Sequence, residues 1–277
     1  MPNDTQVSSS AQALALRYGA AMPPAPAWNE MLENLLDHRS VRSYLPDALE
    51  PGTLETLVAA AQSASTTSNM QVWSVVAVTD PDRKARLSAL AGNQRHIAVA
   101  PLFLVWLADL SRAGRIGARA EAPVEALPYT EAFIMGVVDA ALAAQNAVVA
   151  AESLGLGTVY IGGMRNHPTE VAAELRLPPQ VVAVFGLCVG RPDPAVKTDV
   201  KPRLPQSVVL HHERYDDSAE AEGVAAYDAR LRVFQQGQQM NEVGWVRSVL
   251  SRLKGPGSLS GRDKIRGILG ELGFPLK

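Results

Sequence analysis

The sequence predicts an α+β domain, on three observations. Four short runs rich in Val, Leu, Ile and aromatic residues, at 72–78, 101–108, 158–161 and 181–189, have the length and composition of strands. The segments around them carry apolar residues at helical spacing. No repeat and no long linker interrupts the 277 residues, so a few buried strands set among helices are expected.

The elements follow in order. Residues 1–10 are small and polar and read as a frayed tail, 12–18 as a short helix, and 22–27 as a Pro-rich connection. A helix over 29–38 takes Asn29 as its cap and sets Met31, Leu32, Leu35 and Leu36 on one face. Pro51-Gly52-Thr53-Leu54 opens another, with Leu54, Leu57, Val58 and Ala61 at helical spacing. Residues 63–69 are loop by composition, 72–78 the first strand, 82–91 a helix and 101–108 the second strand. Residues 111–128 mix Arg, Gly, Ala and Pro without a clear period and read as a flexible loop. A long Ala-rich helix over 132–154 ends at Gly155. The third strand, 158–161, stops at Gly162-Gly163; 168–175 is helical and 181–189 is the fourth strand. Residues 192–206 are irregular and 219–236 helical, and two further short helices break at Gly255-Pro256-Gly257.

Composition excludes several classes. Apolar residues make up 47% and charged residues 19%, enough for a buried core. A net charge of −2 gives no field that would gather nucleic acid or an anionic membrane. Arg247, Arg252, Lys254, Arg262, Lys264 and Arg266 crowd the end of the chain without aromatics, as a solvated helical face does. The stretch 132–154 tempts a membrane reading, but it holds Asp139, Gln145, Asn146 and Glu152. One central Asp costs about 2.5–3.5 kcal/mol on insertion, so a buried helix is expected. The one cysteine, Cys188, lies in an apolar strand with no cationic neighbour in sequence, which reads as core and fits a reducing cytoplasm.

No Cys/His cluster has metal spacing, and His211-His212 are adjacent. There is no Gly-x-Ser-x-Gly elbow and no Walker loop, and Gly155-x-Gly157 precedes a strand instead of following one. A chain without nucleophile or metal often takes its chemistry from a cofactor. Four clusters suit one. His38-Arg39-Ser40-Val41-Arg42 gathers two guanidinium groups, a hydroxyl and an imidazole, though on this motif alone a basic helix end favouring its own dipole explains it better. The hydroxyl-rich Ser65-Thr66-Thr67-Ser68-Asn69 could cradle a phosphate or a polyol chain, or could be an ordinary turn. Lys201-Pro202-Arg203 offers two cations on a stiff backbone, or solvated charge. At Tyr160-Ile161-Gly162-Gly163 a strand ends in two residues without side chains, where a flat ligand could lie or a tight turn form. Together they suit a planar ring with a phosphate tail, each charge-assisted contact contributing roughly 1.5–3 kcal/mol.

In order and spacing these clusters resemble the oxygen-insensitive NADPH nitroreductases of the major, type A group and the related flavin reductases. The resemblance extends over about residues 29–235 and includes Gly92-Asn93-Gln94-Arg95-His96, Gly136-Val137-Val138-Asp139, Ala143-Ala144-Gln145-Asn146, Glu152-Ser153-Leu154-Gly155-Leu156-Gly157, Met164-Arg165-Asn166 and Leu204-Pro205. It implies a nitroreductase-like sandwich, with a central, mostly antiparallel sheet flanked by helices, in an intertwined homodimer with FMN held non-covalently between subunits. Residues 1–28 would be an N-terminal extension, partly flexible. Residues 29–277 would be one FMN-binding domain with a C-terminal helical extension.

The resemblance further implies that Arg39 or Arg42, with Lys201 and Arg203, holds the phosphate in the setting of His38. Ser40 with Ser65, Thr66, Thr67 and Asn69 would line the ribityl chain and ring edge, and Gln94 would meet the ring's polar edge. Tyr160, Ile161, Gly162 and Gly163 would run beneath the ring, with a backbone N–H near flavin N5. Arg165 would meet the anionic end of the nicotinamide nucleotide or a nitro group, or be a surface Arg. NADPH or NADH would reduce the flavin, and the nitroaromatic or quinone acceptor would then take two electrons in ping-pong fashion. No side chain acts as catalyst. The alternatives are an NAD(P)H:flavin reductase releasing reduced FMN, and a non-catalytic flavin-binding sensor. The sequence departs from the pattern at Gln236-Gly237, where an Arg-Gly that grips the extra phosphate of NADPH is expected. Residues 1–28 and the 113–128 loop also run longer than the pattern.

Overall fold

The computed structural model describes residues 4–19 and 27–277, with side chains from Ser10 onward in the first stretch. In chain order its elements are α1 (Asp4–Tyr18), α2 (Glu30–Leu36), α3 (Thr53–Gln62), β1 (Trp73–Val78), α4 (Pro81–Leu90), α5 (Arg95–Val99), β2 (Leu102–Asp109) and α6 (Ser111–Arg119). They continue as α7 (Thr130–Ser153), β3 (Gly157–Ile161), α8 (Pro168–Glu174), β4 (Val181–Gly190), α9 (Gln206–Val209), α10 (Glu220–Gly237), α11 (Trp245–Arg252) and α12 (Ile265–Glu271). The chain forms two compact units, one comprising Ser40–Pro194 with Leu259–Lys277, the other the residues up to Arg39 with Ala195–Ser258.

The first unit is built on a four-stranded sheet of order β1-β2-β4-β3, antiparallel throughout. Side chains of β2 alternate between two apolar layers. Leu102, Leu104, Trp106 and Ala108 face the core shared with α3 and α7; Phe103, Val105 and Leu107 face the one shared with α4, α5 and α8. The sheet is therefore sandwiched, and every residue of β2 is buried. A strand covered on both faces reads in sequence as an unbroken apolar run, as 101–108 does. Cys188 lies in the second layer, fully buried, and burial pushes its thiol well above the ordinary range.

Helix α7 is the one described helix long and apolar enough to cross a membrane by length and composition. Its Ala140, Ala143, Ala144, Ala147 and Ala151 are fully buried in the core under the sheet, the small side chains allowing close approach to α3. The opposite face exposes Ile134, Val138 and Leu142, spaced four apart.

Two expectations are corrected here. Residues 111–128 are not loop throughout, because 111–119 form α6. Its start is held by tertiary contacts that the sequence does not announce. Asp109 Oδ1 accepts from the Arg112 amide (3.2 Å), while the Arg112 guanidinium donates to Gln71 O (2.8 Å) and Ser74 Oγ (2.7 Å). Gly117, which suggested flexibility, is instead a packing position: a Cβ there would lie 2.6 Å from Val124 Cγ1 and 3.0 Å from Ala122 O. The expected frayed tail is also helical from Asp4, in one continuous α1. Residues 1–3 of that tail, and most of the Pro-rich 22–27, lie outside the described residues.

In the second unit Asn29 caps α2 as expected, its side chain accepting from the Leu32 amide at 3.0 Å. The apolar face assigned to that helix is largely solvent-facing, with Met31, Leu32 and Leu35 exposed. Helix α10 buries Tyr227, Leu231 and Gln235, and the Tyr227 ring meets Trp245 of α11 edge-on, 5.6 Å between centroids.

Candidate functional site

The sheet unit carries the hydroxyl loop, the glycine pair and the Gln94 motif. The loop between α3 and β1 is drawn into shape by Asp139 of α7, whose carboxylate is fully buried. Asp139 Oδ1 accepts from Thr67 N (2.8 Å) and Thr67 Oγ1 (3.0 Å), and Oδ2 accepts from Val72 N (3.2 Å). Between those anchors Ser68, Asn69 and Gln71 all adopt positive φ, at 47°, 55° and 51°. Ser65, Ser68 and Asn69 are exposed, Thr66 and Thr67 half-buried. In sequence Asp139 reads only as a charge that argues against a membrane span; its acceptor role is not legible from its position on an Ala-rich helix.

Ser40 is fixed by the sheet edge: it forms a parallel bridge to Thr158 of β3, and Val41 N donates to Thr158 O at 2.8 Å. Arg42 beyond it is exposed. Burial, and next the nearby Arg42 charge, hold the His96 imidazole below its ordinary range, and its Nε2 is buried without a hydrogen-bond partner among the described residues. Arg42 and His96 thus share one electrostatic neighbourhood within the sheet unit.

The glycine pair divides. Gly163 is buried, and a Cβ there would lie 2.5 Å from Ala91 O and 2.6 Å from Gln94 Nε2. It is a packing glycine, and Gln94, whose Nε2 donates to Ala91 O at 2.8 Å, packs against it. Gly162 is half-exposed. A Cβ on it would meet only two guanidinium groups within 4 Å, Arg165 at 3.5 Å and Arg262 at 3.9 Å. The bare backbone patch is therefore Gly162, flanked by two cations. Tyr160 leads to it on β3, its ring edge-on to Phe185 (5.1 Å) and its hydroxyl donating to Gln145 Oε1 (3.3 Å); Ile161 is buried.

Arg165 is half-buried and donates to the Val184 carbonyl of β4. Arg262 departs from the solvated basic face expected of the chain end. It is half-buried, with Nε donating to Asn166 Oδ1 at 2.9 Å. Sequence reading missed it because its partners lie nearly a hundred residues upstream.

In the other unit Arg39 is exposed and pairs with Asp37 at 2.5 Å, Lys201 is half-buried, and Arg203 is exposed. The backbone between the last two is fixed by Tyr227, whose hydroxyl donates to Pro202 O at 3.3 Å. His38 precedes Arg39 just beyond the end of α2 and is half-buried. Among the described residues no group of His, Cys, Asp and Glu has the geometry of a metal site.

With this geometry in view, the comparisons fix the class. The Nitroreductase family model matches residues 35–191, and the model of the Nitroreductase family, C-terminal domain, matches residues 201–277. The chain belongs to the nitroreductase family. It is 44% identical over 189 residues to the FMN reductase (NADPH) of Bacillus subtilis, covering 68% of this chain and 75% of that protein. It is 41% identical over 200 residues to the oxygen-insensitive NADPH nitroreductase of Salmonella typhimurium, covering 72% and 80%. Among solved structures, the NADPH:FMN oxidoreductase from Vibrio harveyi complexed with NAD+ matches with a TM-score of 0.78 and 34% identity, over 90% of this chain and all of that one. The family and the sandwiched antiparallel sheet are those expected from the sequence.

Proposed function

We propose that this chain is an FMN-dependent NAD(P)H oxidoreductase that reduces electron-poor aromatics, nitroaromatics or quinones by two-electron, ping-pong transfer. The observation that supports this most is family membership over both parts of the family pattern in a chain that keeps the cation-bearing and hydroxyl-bearing segments. The residues fit the cofactor: Gly162 offers bare, half-exposed backbone between two guanidinium groups, and Arg39 and Arg203 present exposed cations. Bound FMN supplies reversible two-electron chemistry linking nucleotide oxidation to acceptor reduction.

The chain's own residues bind and orient. Arg39, Lys201 and Arg203, with Arg42, take the phosphate, charge-assisted donors being the strong ones. Ser40 and the hydroxyl loop take the ribityl chain, and Gln94 the polar ring edge. The Gly162 backbone carries the ring, and Arg165 and Arg262 receive the anionic end of donor or acceptor. No side chain serves as nucleophile.

Gln236 replaces the expected Arg, and its amide donates to the Glu242 carboxylate at 2.6 Å. The cation that would grip a 2′-phosphate is missing there, so we read the donor as NADH or NADPH without strong preference. The exposed stripe Ile134, Val138 and Leu142 on α7 supports a homodimer, since apolar side chains at that spacing seek a partner. A cytoplasmic location completes the reading.

The test is direct. Purified protein should be yellow and should oxidise NADH and NADPH at comparable kcat/KM with nitrofurazone or a quinone as acceptor. A colourless protein that cannot be reconstituted with FMN refutes the reading. Free FMN as the preferred acceptor would favour the flavin-reductase alternative, a reading the 44% identity to an FMN reductase makes specific. Bleaching by NAD(P)H without turnover of any acceptor would favour a sensor.

A further inference from the structure

The α1 helix precedes the segment matched by the family model, which begins at residue 35. Its last turn is nevertheless built into the part of the chain that bears the cations. Arg17 is only 3% exposed. Its Nε donates to Leu36 O (2.8 Å) at the end of α2, its Nη2 to His38 O (2.6 Å) and its Nη1 to Lys201 O (2.8 Å). One planar, permanently charged fork thus spans the backbone beside Arg39 and the backbone that bears Lys201.

The connection runs both ways. Arg203 N donates to Arg17 O at 2.8 Å. From α10, Arg230 donates to Tyr18 O and, at 3.3 Å, to Arg203 O, so a second guanidinium joins the end of α1 to the same cationic segment. Two of the three carbonyls that receive the Arg17 fork adjoin or belong to a cation-bearing residue: His38 O is next to Arg39, and Lys201 O is two residues from Arg203. Two cation-bearing segments more than 160 residues apart in sequence are therefore held in register by a side chain belonging to neither.

We infer that α1 braces the phosphate clamp, with Arg17 as the positioning residue that sets how tightly the protein holds a phosphate-bearing flavin. The inference rests on the flavin reading above and adds a role for the N-terminal extension. A brace that places cations should govern the phosphate-dependent part of affinity and leave the ring-dependent part alone. Riboflavin is FMN without the phosphate, so the ratio of the two affinities isolates the clamp.

The experiment titrates apoprotein with FMN and with riboflavin, following flavin fluorescence, for the unsubstituted protein, Arg17→Ala and Arg17→Lys. The expected result is that Arg17→Ala lowers the FMN-over-riboflavin preference about tenfold or more, as displacing one charge-assisted contact would. Riboflavin affinity should be unchanged, with Arg17→Lys falling between because an ammonium cannot span three carbonyls. An unchanged preference in folded Arg17→Ala overturns the inference, as does an equal loss of both flavins. Failure of both variants to fold also overturns it, since Arg17 would then serve the fold rather than the clamp. A wild-type protein that binds neither flavin marks failure of the flavin reading itself, and the inference falls with it.

Discussion

Asp139 offers the sharpest test of how the hydroxyl loop is held. Its carboxylate is fully buried and accepts three hydrogen bonds, two of them from the backbone amides of Thr67 and Val72. Replacing it by Ala leaves the buried Val72 amide and the partly buried Thr67 amide without their acceptor, at up to about 1–3 kcal/mol each, while the Thr67 hydroxyl can turn to another acceptor. With the small cavity added, the expected loss is about 3–5 kcal/mol, a large share of the roughly 5–15 kcal/mol typical of a folded protein. At about 2–4 °C per kcal/mol for a chain of this size class, the midpoint should fall by roughly 6–20 °C. Asp139→Asn keeps an oxygen toward Thr67 but turns an amide donor toward Val72 N, so it should cost about 1–3 kcal/mol. Thermal unfolding gives the magnitudes, and hydrogen exchange at the Thr67 and Val72 amides gives the location. An Ala variant melting within about 2 °C of wild type, with those amides still protected, would refute the reasoning.

Two further predictions follow from the same physical reading. Gly163→Ala should destabilise by about 1–3 kcal/mol, because its Cβ would meet Ala91 O at 2.5 Å, whereas Gly162→Ala, with no neighbour nearer than 3.5 Å, should leave the melting temperature unchanged and act only on flavin and nucleotide binding. Equal melting temperatures for the two variants would show that the pair is not divided as described. Glu174 on α8 accepts from Arg86 (2.9 Å) and Arg83 (3.1 Å) on α4, and the Arg86 bond, ahead of that from Arg83, holds its carboxyl down at about 2. A depressed carboxyl stabilises above its unfolded value and ceases to as pH falls through the folded one. The melting deficit of Glu174→Gln should therefore be full at pH 7 and shrink as pH drops from about 4.5 toward about 2; a deficit independent of pH would contradict this.

Much of the fold was legible because its signals are local. The four strands are β-branched runs of the right length, Asn29 caps the helix it was expected to cap, and the Ala-rich segment forms one long helix against the sheet. Helix α6 was not legible: its glycines lower local propensity, and what holds it is Arg112 reaching Gln71 and Ser74 across some forty residues. The exposure of Met31, Leu32 and Leu35 was equally hidden, since periodicity shows that a face is apolar but not what covers it.

The site divides along the same line. Residues that would touch a cofactor carry their chemistry in the side chain, so Arg39, Lys201, Arg203 and the 65–69 hydroxyls stand out in sequence whatever the fold does. Residues that set where those groups point carry no such mark. Asp139 sits on a helix of alanines, Arg17 in a Ser- and Ala-rich extension, and Arg262 in a basic tail that reads as solvated charge. Each acts through backbone groups or side chains far along the chain, and such partners have no sequence signature. The positive-φ run at Ser68, Asn69 and Gln71 makes the point energetically. Left-handed non-glycine residues cost on the order of 1–3 kcal/mol each and persist only where surrounding bonds fix them. The Asp139 carboxylate supplies those bonds at Thr67 and Val72, to either side of the run. In a protein whose chemistry comes from a bound ring, geometry is the contribution of the chain. The positioning set is therefore as functional as the contact set, and only the folded structure reveals it.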